Sequence, residues 1–559
     1  MGIKNFGFET IETYLQKGIY FIPDYQREYS WLKDEQIDDF WTDILSAIEE
    51  NRDTHFFGQV VIHDDKTDNK KYVIDGQQRT TTSVIFLAVL RDLFEEVYNE
   101  SNYSSARNKF EDIRLKFIGR WSEDEDELRL TLGRVDKEYF RENIQIHKPK
   151  SIIDPDEPSH KRIKEAYKEL ESRLRKLIEN VSDSKEKYNT LVQFYNKFIN
   201  GFQLMYVETD EINEAFIIFE TLNARGKDLE TSDLLKNHLF RSSGSLIEKV
   251  KDEWMKTVEN IESIDITKFL RHYWNSQYRF TREKDLYKKI RTEVNTPHKS
   301  EEFVKNFRIM SDVYKNLVNP SEELYFLDSQ IQKTLQNMKT LSASSFYPII
   351  LAMVNRNFSE IDIKITLNAL ESFIVRNVVV AGRVANKYEI LFAKIAHKIT
   401  EKELTEIVQI YDQLKPEMLN DEEFEMVFNT FVVKSTKVAK FLLREINDFI
   451  ENEVQVVADN RRIHLEHIMP KKIGEWNVDN ETHQKYLNRL GNLTLLGQEF
   501  NTSIQNKPFD LKKQIYTRSN IKITQPLCDY RTWDESAIEN RQKNLSKIAL
   551  KRWDFPEII

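Results

Sequence analysis

Apolar residues recur along most of this chain at the three- and four-residue spacing of an amphipathic α-helix. Segment 35–50 is a clear case, with one apolar face formed by Ile37, Phe40, Trp41, Ile44, Leu45 and Ile48. The clearest strand-like stretches lie near the N-terminus, at 56–63 and 71–75, and the polar residues 64–70 between them suit a hairpin loop. The pattern predicts a predominantly α-helical, α+β multi-domain protein with a small mixed sheet in its N-terminal domain.

The same pattern divides the chain into three predicted regions. Residues 1–240 form a mixed domain that opens with a short helix over 8–20, closed by Gly18, and carries a charged helical insertion at about 100–200. Helical periodicity then continues through a middle domain, 241–445. Polar residues and the end of the helical pattern mark a boundary near 445–460. The last region, 446–559, ends in an amphipathic helix between two tryptophans, Trp533 and Trp553.

Composition supports globular packing and excludes several classes of protein. A chain of 559 residues is long enough for three or four domains. Its 14 glycines and 12 prolines are too few for long flexible linkers or an all-β fold. The single cysteine, Cys528, excludes a disulfide framework and favours a reducing cytoplasm. We expect no signal peptide and no membrane partner, because the longest apolar runs, such as 83–90, are too short to cross a bilayer.

The overall charge does not by itself indicate a nucleic-acid-binding protein, since the net charge is −10 and the isoelectric point about 5.8. An acidic protein can still bind DNA when a basic groove faces the phosphates. Solvated surface charge is the alternative explanation for each basic cluster. The candidate groove residues all lie in the C-terminal region and are Lys471, Lys472, Lys512, Lys513, Arg518 and Lys522.

The densest chemistry also lies in the C-terminal region, where Glu466 and His467 are adjacent and asparagines follow at 492 and 501. The Glu466 carboxylate and the Asn501 carbonyl are hard oxygen ligands of the kind that Mg²⁺ or Mn²⁺ prefers. His467 titrates near neutral pH and can take a proton from an attacking water. A metal beside them would neutralise charge on a phosphate, so the cluster predicts phosphodiester hydrolysis. We expect a β-hairpin to carry Glu466 and His467, and a short helix to present Asn501.

A second group of polar residues follows the predicted strand 71–75. Gly76 opens a helix there, so that free backbone N–H groups and the positive end of the helix dipole suit a phosphate. Arg79 adds a planar cation for phosphate oxygens. Asp75 and the two glutamines after Gly76 can hold a metal, a water or a ribose hydroxyl. An ordinary strand–turn–helix corner, with Arg79 paired to an acid, explains the same residues.

An aromatic cluster in the helical middle domain has two interpretations. Its members are Phe269, His272, Tyr273 and Trp274. Aromatic rings can stack on a base that has been flipped out of a duplex, so the cluster could sense a modified base. The same residues at helical spacing also suit a packed core, which is the interpretation we favour.

The C-terminal motif resembles the HNH nucleases, also called ββα-metal or His-Me finger nucleases. The resemblance rests on Glu466–Pro470, on Gly491–Leu496, and on Asn501 nine residues beyond Asn492. The resemblance implies that Glu466 and Asn501 bind the metal and that His467 is the general base. Asn492 would brace the loop that follows His467, and Lys507 would contact a phosphate. The structural zinc that many relatives hold with four cysteines cannot form here. His464 has no place in the pattern, and we interpret it as a structural or supporting residue.

The N-terminal motifs resemble the ParB/sulfiredoxin-like domain of the GmrSD-type restriction enzymes, which cut modified DNA and are grouped as type IV. Three segments carry the resemblance, Pro23–Trp31, Asp75–Thr80 and Phe219–Asn237. In that family the domain binds and hydrolyses nucleoside triphosphates and governs a C-terminal HNH nuclease. Asn223 and Arg225 would brace the pocket, with an ordinary helix C-cap as the alternative. The residues implied to contact the triphosphate are Tyr25, Gln26, Arg27, Asp75, Gly76, Gln77, Gln78, Arg79 and Thr80.

Together the two resemblances imply a cytoplasmic, metal-dependent endonuclease that restricts modified phage DNA and is controlled by nucleoside triphosphate. Asp75 and Arg79 would act in hydrolysis of the triphosphate, which could be GTP, ATP or another. The implied cofactors are this nucleotide and Mg²⁺ or Mn²⁺, and the implied partner is modified double-stranded DNA, with a homo-oligomer as a further expectation. Two alternatives remain open. One is a nucleotide-switched, nucleic-acid-binding regulator with an inactive nuclease module, and the other is an RNA-cleaving toxin.

Overall fold

The computed structural model describes residues 3–121, 126–149, 151–223, 231–261, 264–320, 325–450, 462–474 and 476–555. The chain divides into two compact units. The first comprises Met1–Met255 with Ile290–Val304, and the second comprises Lys256–Lys289 with Lys305–Ile559. Helices dominate both units and the larger sheet lies in the first, so the predicted helical α+β class is confirmed.

The strands of the described residues form a six-stranded mixed sheet and two smaller antiparallel pairs. In chain order they are β1 Ile3–Thr10, β2 Tyr20–Phe21, β3 His55–Asp65, β4 Lys70–Asp75, β5 Gly119–Trp121, β6 Asp126–Leu128, β7 Leu130–Thr131, β8 Phe202–Thr209, β9 Ile463–His467 and β10 Leu493–Gly497. The six-stranded sheet has the order β1-β8-β3-β4-β2-β7, and the pairs are β5 with β6 and β9 with β10.

The helices follow the predicted periodicity closely. They are α1 Ile11–Gln16, α2 Gln36–Glu49, α3 Gln77–Ser101, α4 Ser104–Ile113, α5 Arg134–Phe140, α6 Pro158–Ile178, α7 Ser184–Asn196, α8 Ile212–Asn223, α9 Thr231–Ser242, α10 Ile247–Ile261, α11 Ile266–Gln277, α12 Glu283–Glu293, α13 Pro297–Val318, α14 Ser329–Thr340, α15 Tyr347–Asn355, α16 Glu360–Ile374, α17 Ala385–Thr400, α18 Ile407–Leu414, α19 Asp421–Phe428, α20 Thr436–Ile450, α21 Asn480–Tyr486, α22 Gln498–Ile504, α23 Phe509–Tyr516 and α24 Glu535–Arg552.

The sheet of the first unit combines strands that lie far apart in the sequence. β8 lies between β1, to which it is antiparallel, and β3, to which it is parallel. The chain between β4 and β8 includes the helices α4, α6 and α7 and the strands β5, β6 and β7, and α3, α6 and α7 pack on one another. Strand β7 joins the six-stranded sheet, and the helical insertion at about 100–200 stays a prediction. Helix α3 is buried on almost every side, including the whole run Val84–Leu90, which explains why its sequence is apolar all round rather than on one face.

The predicted helix over residues 8–20 is wrong at its start. Phe8, Glu9 and Thr10 continue β1 and pair with β8, and the helix begins only at Ile11. Thr10 is the N-cap, because its hydroxyl accepts a hydrogen bond from the Thr13 N–H at 3.2 Å. Pairing with a distant strand outweighs the local helical pattern over these three residues.

The aromatic cluster on α11 is part of a packed core, and the interpretation as a base-sensing pocket is wrong. Phe269 stacks on Phe307 with 4.2 Å between ring centroids. His272 is buried, and its Nδ1 lies 2.9 Å from the Tyr314 hydroxyl. No ring of this cluster is open to a base, since all four side chains are buried.

The C-terminal part of the second unit contains the predicted hairpin and terminal helix. β9 and β10 pair in antiparallel register, α22 follows β10 directly, and α24 corresponds to the predicted helix between Trp533 and Trp553. Leu493 and Leu495 share a core with α20 and α24. Helix α20 ends at Ile450 and residues 451–461 lie outside the described part of the chain, so the boundary near 445–460 stays a prediction.

Candidate functional site

The β9–β10 ladder determines which way the predicted nuclease residues face. His467 pairs with Leu493, and Glu466 pairs with Thr494. Successive strand residues point to opposite faces, so Glu466 lies on the opposite face from Leu465, which packs against the core shared with α20 and α24. Glu466 instead faces helix α23, where it is only 6 % exposed.

The buried Glu466 carboxylate is held by two side chains of α23. Lys512 Nζ donates to Glu466 Oε1 at 2.5 Å and to the His467 carbonyl oxygen at 2.9 Å. The Tyr516 hydroxyl donates to the same Oε1 at 3.2 Å. Burial raises the pKa of Glu466, while the Lys512 ammonium and the Tyr516 hydroxyl act to lower it. Burial likewise lowers the pKa of Lys512, which Glu466 opposes.

Lys512 therefore does not belong to a DNA-facing groove, and that prediction is wrong. Its side chain is 0 % exposed, so it cannot reach a phosphate. The neighbouring Lys513 donates to the Tyr530 carbonyl oxygen at 2.7 Å. The candidate groove residues that remain exposed are Lys471, Lys472, Arg518 and Lys522.

His467 is half-buried at the end of β9. Its Nε2 lies 3.3 Å from Asn488 Oδ1, and an acceptor at that position favours the tautomer with the proton on Nε2. Burial lowers the pKa of His467 to about 4, and the Lys471 and Lys512 ammonium groups act in the same direction. The imidazole is therefore neutral at pH 7, with Nδ1 left to accept a proton.

Asn492 closes the loop that follows His467. Its amide is 0 % exposed and uses both ends. Oδ1 accepts from the Met469 N–H at 2.8 Å and from Trp533 Nε1 at 2.9 Å. Nδ2 donates to the carbonyl oxygens of Met469 and Leu487, each at 3.0 Å. The loop is thus anchored at Met469 through both backbone groups. Sequence reasoning missed Trp533, which was assigned only to the terminal helix.

Asn501 lies on α22, and this helix packs on both β9 and β10. Its Oδ1 is buried and accepts no hydrogen bond within the described part of the chain, and the same holds for His464 Nε2. A buried amide oxygen without a donor is the atom that a cation would satisfy. Lys507 is exposed three residues beyond the end of α22, and its backbone oxygen accepts from Trp476 Nε1 at 3.2 Å.

The residues present fit a hard divalent ion rather than a thiolate or multi-histidine metal. No group of three or more His, Cys, Asp or Glu side chains in metal-ligand geometry occurs among the residues described. One carboxylate and one amide oxygen, from Glu466 and Asn501, are nevertheless the donor types that Mg²⁺ takes from a protein, because this ion keeps several waters and substrate oxygens.

The predicted phosphate turn in the first unit depends on Gly76. This residue has φ = 89° and begins α3, directly after β4. A Cβ here would lie 2.5 Å from Val60 Cγ1 and 2.7 Å from the Gln59 carbonyl oxygen, so a side chain does not fit. Asp75 accepts from the Gly76 N–H at 2.8 Å and from Gln59 Nε2 at 2.8 Å. Helix α3 starts at Gln77, directly after the glycine.

Two of the three motifs that carry the N-terminal resemblance, Pro23–Trp31 and Asp75–Thr80, contact each other at this turn. Gln26 Nε2 donates to the Ile74 carbonyl oxygen at 3.0 Å, and Gln77 Nε2 donates to the Arg27 carbonyl oxygen at 3.3 Å. Gln78 adds a further donation, to the Glu28 carbonyl oxygen at 3.1 Å. The loop Pro23–Trp31 is therefore fastened across the start of α3 by glutamine side chains.

Helix α9 contributes a buried lysine to the same place. Lys236 Nζ donates to Gln26 Oε1 at 3.1 Å and to Asp233 Oδ1 at 3.2 Å, and this lysine is only 2 % exposed. Arg27 Nε lies 3.7 Å from Asp233, and the Tyr25 ring lies beside Lys236. Sequence reasoning included this segment as a motif but gave Lys236 no role.

Not every predicted nucleotide residue has atoms available to a ligand. The Thr80 hydroxyl is buried and donates to the Gly76 carbonyl oxygen at 3.0 Å, and both ends of Gln78 are bonded to the loop. Arg79 is half-buried over Gly58, and no acidic side chain pairs with it within the described ranges. An ordinary strand–turn–helix corner remains the alternative to a phosphate turn. The Asn223 side chain and Arg225 lie outside the described residues.

Comparison with known protein families matches two parts of the chain. Residues 11–240 match the family "GmrSD restriction endonuclease, N-terminal domain", and residues 418–548 match "GmrSD restriction endonucleases, C-terminal domain". A search of curated proteins finds no match. Among the helices of the described ranges, none is both long enough and apolar enough to cross a bilayer. The two family matches include the turn at Gly76 and the hairpin at Glu466 respectively, and the chain therefore belongs to the GmrSD restriction endonucleases, enzymes whose substrate is DNA.

Proposed function

We propose that this endonuclease cuts modified double-stranded DNA with an HNH-type, metal-dependent site in its C-terminal region, under the control of a nucleoside triphosphate bound in its N-terminal unit. The observation that carries the nuclease assignment is the β9–β10–α22 arrangement. It holds a buried carboxylate and a neutral imidazole on adjacent residues and an asparagine that anchors the following loop. The next helix adds an amide oxygen that accepts no hydrogen bond within the described ranges.

In this proposal His467 is the general base. Its Nδ1 takes a proton from the water that attacks the phosphorus, and this requires the imidazole to start neutral. Asn492 positions the base by holding the backbone at Met469, two residues further on. The backbone of His467 is held from the other side, because its carbonyl oxygen accepts from Lys512.

Glu466 and Asn501 would hold Mg²⁺ or Mn²⁺ through Glu466 Oε2 and Asn501 Oδ1. Such an ion, when bound, stabilises negative charge on the phosphate and on the leaving oxygen. The exposed Lys507, Lys471 and Lys472 would contact flanking phosphates and supply the positive surface that an acidic protein needs for DNA.

The triphosphate would bind where the loop Pro23–Trp31, the first turn of α3 and α9 meet. The first N–H groups of α3 and the Arg79 guanidinium supply donors for phosphate oxygens. Gln26, Arg27 and Lys236 lie at the same place, and Gln77 Oε1 is buried without a donor among the described residues. Asp75, bonded to Gly76, would orient the water or the ion at the phosphate.

The nuclease proposal is tested by cleavage of DNA with His467→Ala. Plasmids carrying glucosylated, methylated or phosphorothioate modifications, an unmodified plasmid and total RNA are incubated with Mg²⁺ or Mn²⁺, with and without each nucleoside triphosphate. We expect the wild type to cut one class of modified DNA and the variant to lose at least about 10²-fold in rate, with triphosphate hydrolysis unchanged. His298→Ala, at a side chain 93 % exposed, is the matched control and should cut normally.

The nucleotide proposal is tested separately with Arg79→Ala. Its triphosphate turnover or affinity should fall by about tenfold or more, because one charged donor to phosphate is lost. Arg107→Ala, at an exposed arginine of the same unit, should change neither turnover nor affinity.

Normal cutting by His467→Ala, or cutting of RNA in place of DNA, would contradict the nuclease mechanism. Unchanged turnover and affinity in Arg79→Ala would show that the turn is only structural.

A further inference from the structure

Helix α23 brings two polar side chains, one helical turn apart, to a single oxygen atom of Glu466. Lys512 Nζ and the Tyr516 hydroxyl both donate to Oε1, at 2.5 and 3.2 Å. Among the residues described, no side chain donates to Oε2 of the same carboxylate. Lys512 also donates to the backbone oxygen of His467, so one ammonium group touches both residues of the Glu466–His467 pair.

We infer that Lys512 and Tyr516 are positioning residues that hold Glu466 by Oε1 and thereby present Oε2 to the divalent ion. The inference rests on the proposed role of Glu466 as a metal ligand and adds the groups that orient it. Partners of this kind fix the direction of a ligand's lone pairs and tune its basicity. The bond from Lys512 to the His467 carbonyl oxygen extends the same restraint to the residue that acts as base.

Burial separates this role from a contact with DNA. Lys512 is 0 % exposed, and Tyr516 is also fully buried, so neither side chain can reach a phosphate in the folded protein. Lys513, the next residue on the helix, is half-buried and bonds the Tyr530 carbonyl oxygen, and it touches neither Glu466 nor His467. One helix thus supplies a lysine at the carboxylate and an adjacent lysine away from it.

Burial also argues against a lysine that leaves when the ion arrives. Lys512 Nζ donates to two acceptors, and breaking these hydrogen bonds would leave a buried ammonium group without a partner. A buried ion pair contributes little net stability compared with apolar residues of similar size, so stability alone does not explain why a lysine is placed here. Orientation of the carboxylate does explain it, because the lysine and the tyrosine act on the same oxygen.

The test measures Mn²⁺ binding to the full-length protein without DNA, by calorimetric titration. Lys512→Met keeps most of the side-chain volume and removes the charge, and we expect it to weaken Mn²⁺ binding by about 10- to 100-fold. Tyr516→Phe removes one hydroxyl group and should weaken binding by a few-fold. Lys513→Met is the matched control and should bind Mn²⁺ as the wild type does. If Lys512→Met does not fold, Tyr516→Phe alone decides the outcome.

A second measurement, the salt dependence of DNA binding, separates positioning from phosphate contact. Lys512→Met should leave the slope of log affinity against log salt unchanged, whereas a lost phosphate contact reduces its magnitude by about one. A reduced slope would overturn the inference, and so would wild-type Mn²⁺ affinity in both Lys512→Met and Tyr516→Phe.

Glu466→Gln distinguishes the positioning role of α23 from the proposed metal site itself. If Glu466→Gln loses Mn²⁺ binding while the α23 variants keep it, the positioning role fails and the metal site stands. If Glu466→Gln binds normally, the metal assignment itself fails.

Discussion

The hairpin site around Glu466 and the turn site around Gly76 are assembled in opposite ways. In the hairpin site, Glu466 and His467 lie on β9, Asn492 directly precedes β10, and Asn501 lies on the helix that follows β10. The turn site combines the loop Pro23–Trp31, the start of α3 and the distant helix α9. The first site is local in sequence, and the second exists only because the first unit folds.

This difference explains how each site is held rigid. Asn492 satisfies both ends of its amide with backbone groups and Trp533, so the loop after His467 has few alternative conformations. The turn site relies on a glycine with positive φ and on glutamine side chains that reach across to a loop. In both sites a buried amide oxygen, at Asn501 and at Gln77, accepts no hydrogen bond from any residue that the structure describes.

The largest predicted effect contrasts a glycine of each site. Gly76→Ala should destabilise the first unit by about 4 kcal/mol and abolish triphosphate binding, because a positive φ and a Cβ contact with backbone oxygen act together. Gly497→Ala in the hairpin site should cost less than about 1 kcal/mol, since its φ is −61° and no described atom lies within 4 Å of the added Cβ. Urea denaturation measures both, and equal losses would remove the contrast.

The next largest effect on stability is expected at Asn492, which anchors the loop after His467. Asn492→Asp replaces an N–H₂ that donates to two carbonyl oxygens by a carboxylate oxygen, at a position that is 0 % exposed. We expect a loss of about 3 kcal/mol in the free energy of unfolding and a much slower nuclease. The same change at the exposed Asn480, in the first turn of α21, should stay within about 0.5 kcal/mol. A stable Asn492→Asp protein would mean that the loop is held by other contacts.

A pH effect is expected on the stability of the first unit, at the helix that also carries Lys236. His238 on α9 is buried, its Nε2 donates to the Val294 carbonyl oxygen at 2.7 Å, and burial lowers its pKa to about 4, with Arg241 and Arg291 acting in the same direction. Below pH 6.5 the unfolded chain binds a proton that the native protein does not, so stability is lost as the pH falls from 6.5 towards 4. Between pH 6.5 and 5 the loss should be about 2 kcal/mol.

His238→Gln tests this pH effect, because glutamine can keep the donation to Val294 without titrating. Its urea midpoint should vary less with pH than that of the wild type over the same range. His298, whose side chain is 93 % exposed, provides the control, since His298→Gln should leave the pH dependence unchanged. An identical pH profile for wild type and His238→Gln would assign the acid sensitivity to other groups.

The smallest stability effect is expected at Asn501. Asn501→Ala removes a buried oxygen that has no donor in the described part of the chain, so stability should change by less than about 1 kcal/mol. Mn²⁺ binding should nevertheless fall by about tenfold or more, because a ligand oxygen is lost. Asn492→Ala, which removes hydrogen bonds that are made in the native protein, should instead lower the stability strongly and the affinity for Mn²⁺ only slightly. A large loss of stability with unchanged Mn²⁺ affinity would make Asn501 a structural residue.

Much of the hairpin site was predictable because its signals are local. The spacing of Glu466, His467, Asn492 and Asn501 predicted the paired strands and the following helix, and the structure confirms both. Lys512 was predicted wrongly as a surface cation, because lysine runs are usually solvated and no local pattern indicates that one lysine folds onto a carboxylate 46 residues away.

The turn site was predictable only in part, because some of its contacts join residues far apart in the sequence. Asp75, Gly76 and Arg79 follow a strand in sequence and could be identified as a phosphate turn. The contact of Lys236 with Gln26 spans 210 residues and cannot be read from periodicity. The helix predicted to begin at Phe8 failed over Phe8–Thr10 for the same reason, since the strand that pairs with these residues, β8, begins only at Phe202. The division into three domains stays a prediction.

Sequence by itself determined the helical α+β class, the two motif-bearing regions and the residue types at each site, because apolar spacing, glycine positions and motif spacing are properties of neighbouring residues. Only the tertiary structure decided which charges are buried, which amides are satisfied and which remain without a donor. Those properties depend on what packs against each side chain, and the partners, such as Lys512 for Glu466 or Trp533 for Asn492, come from elements far along the chain.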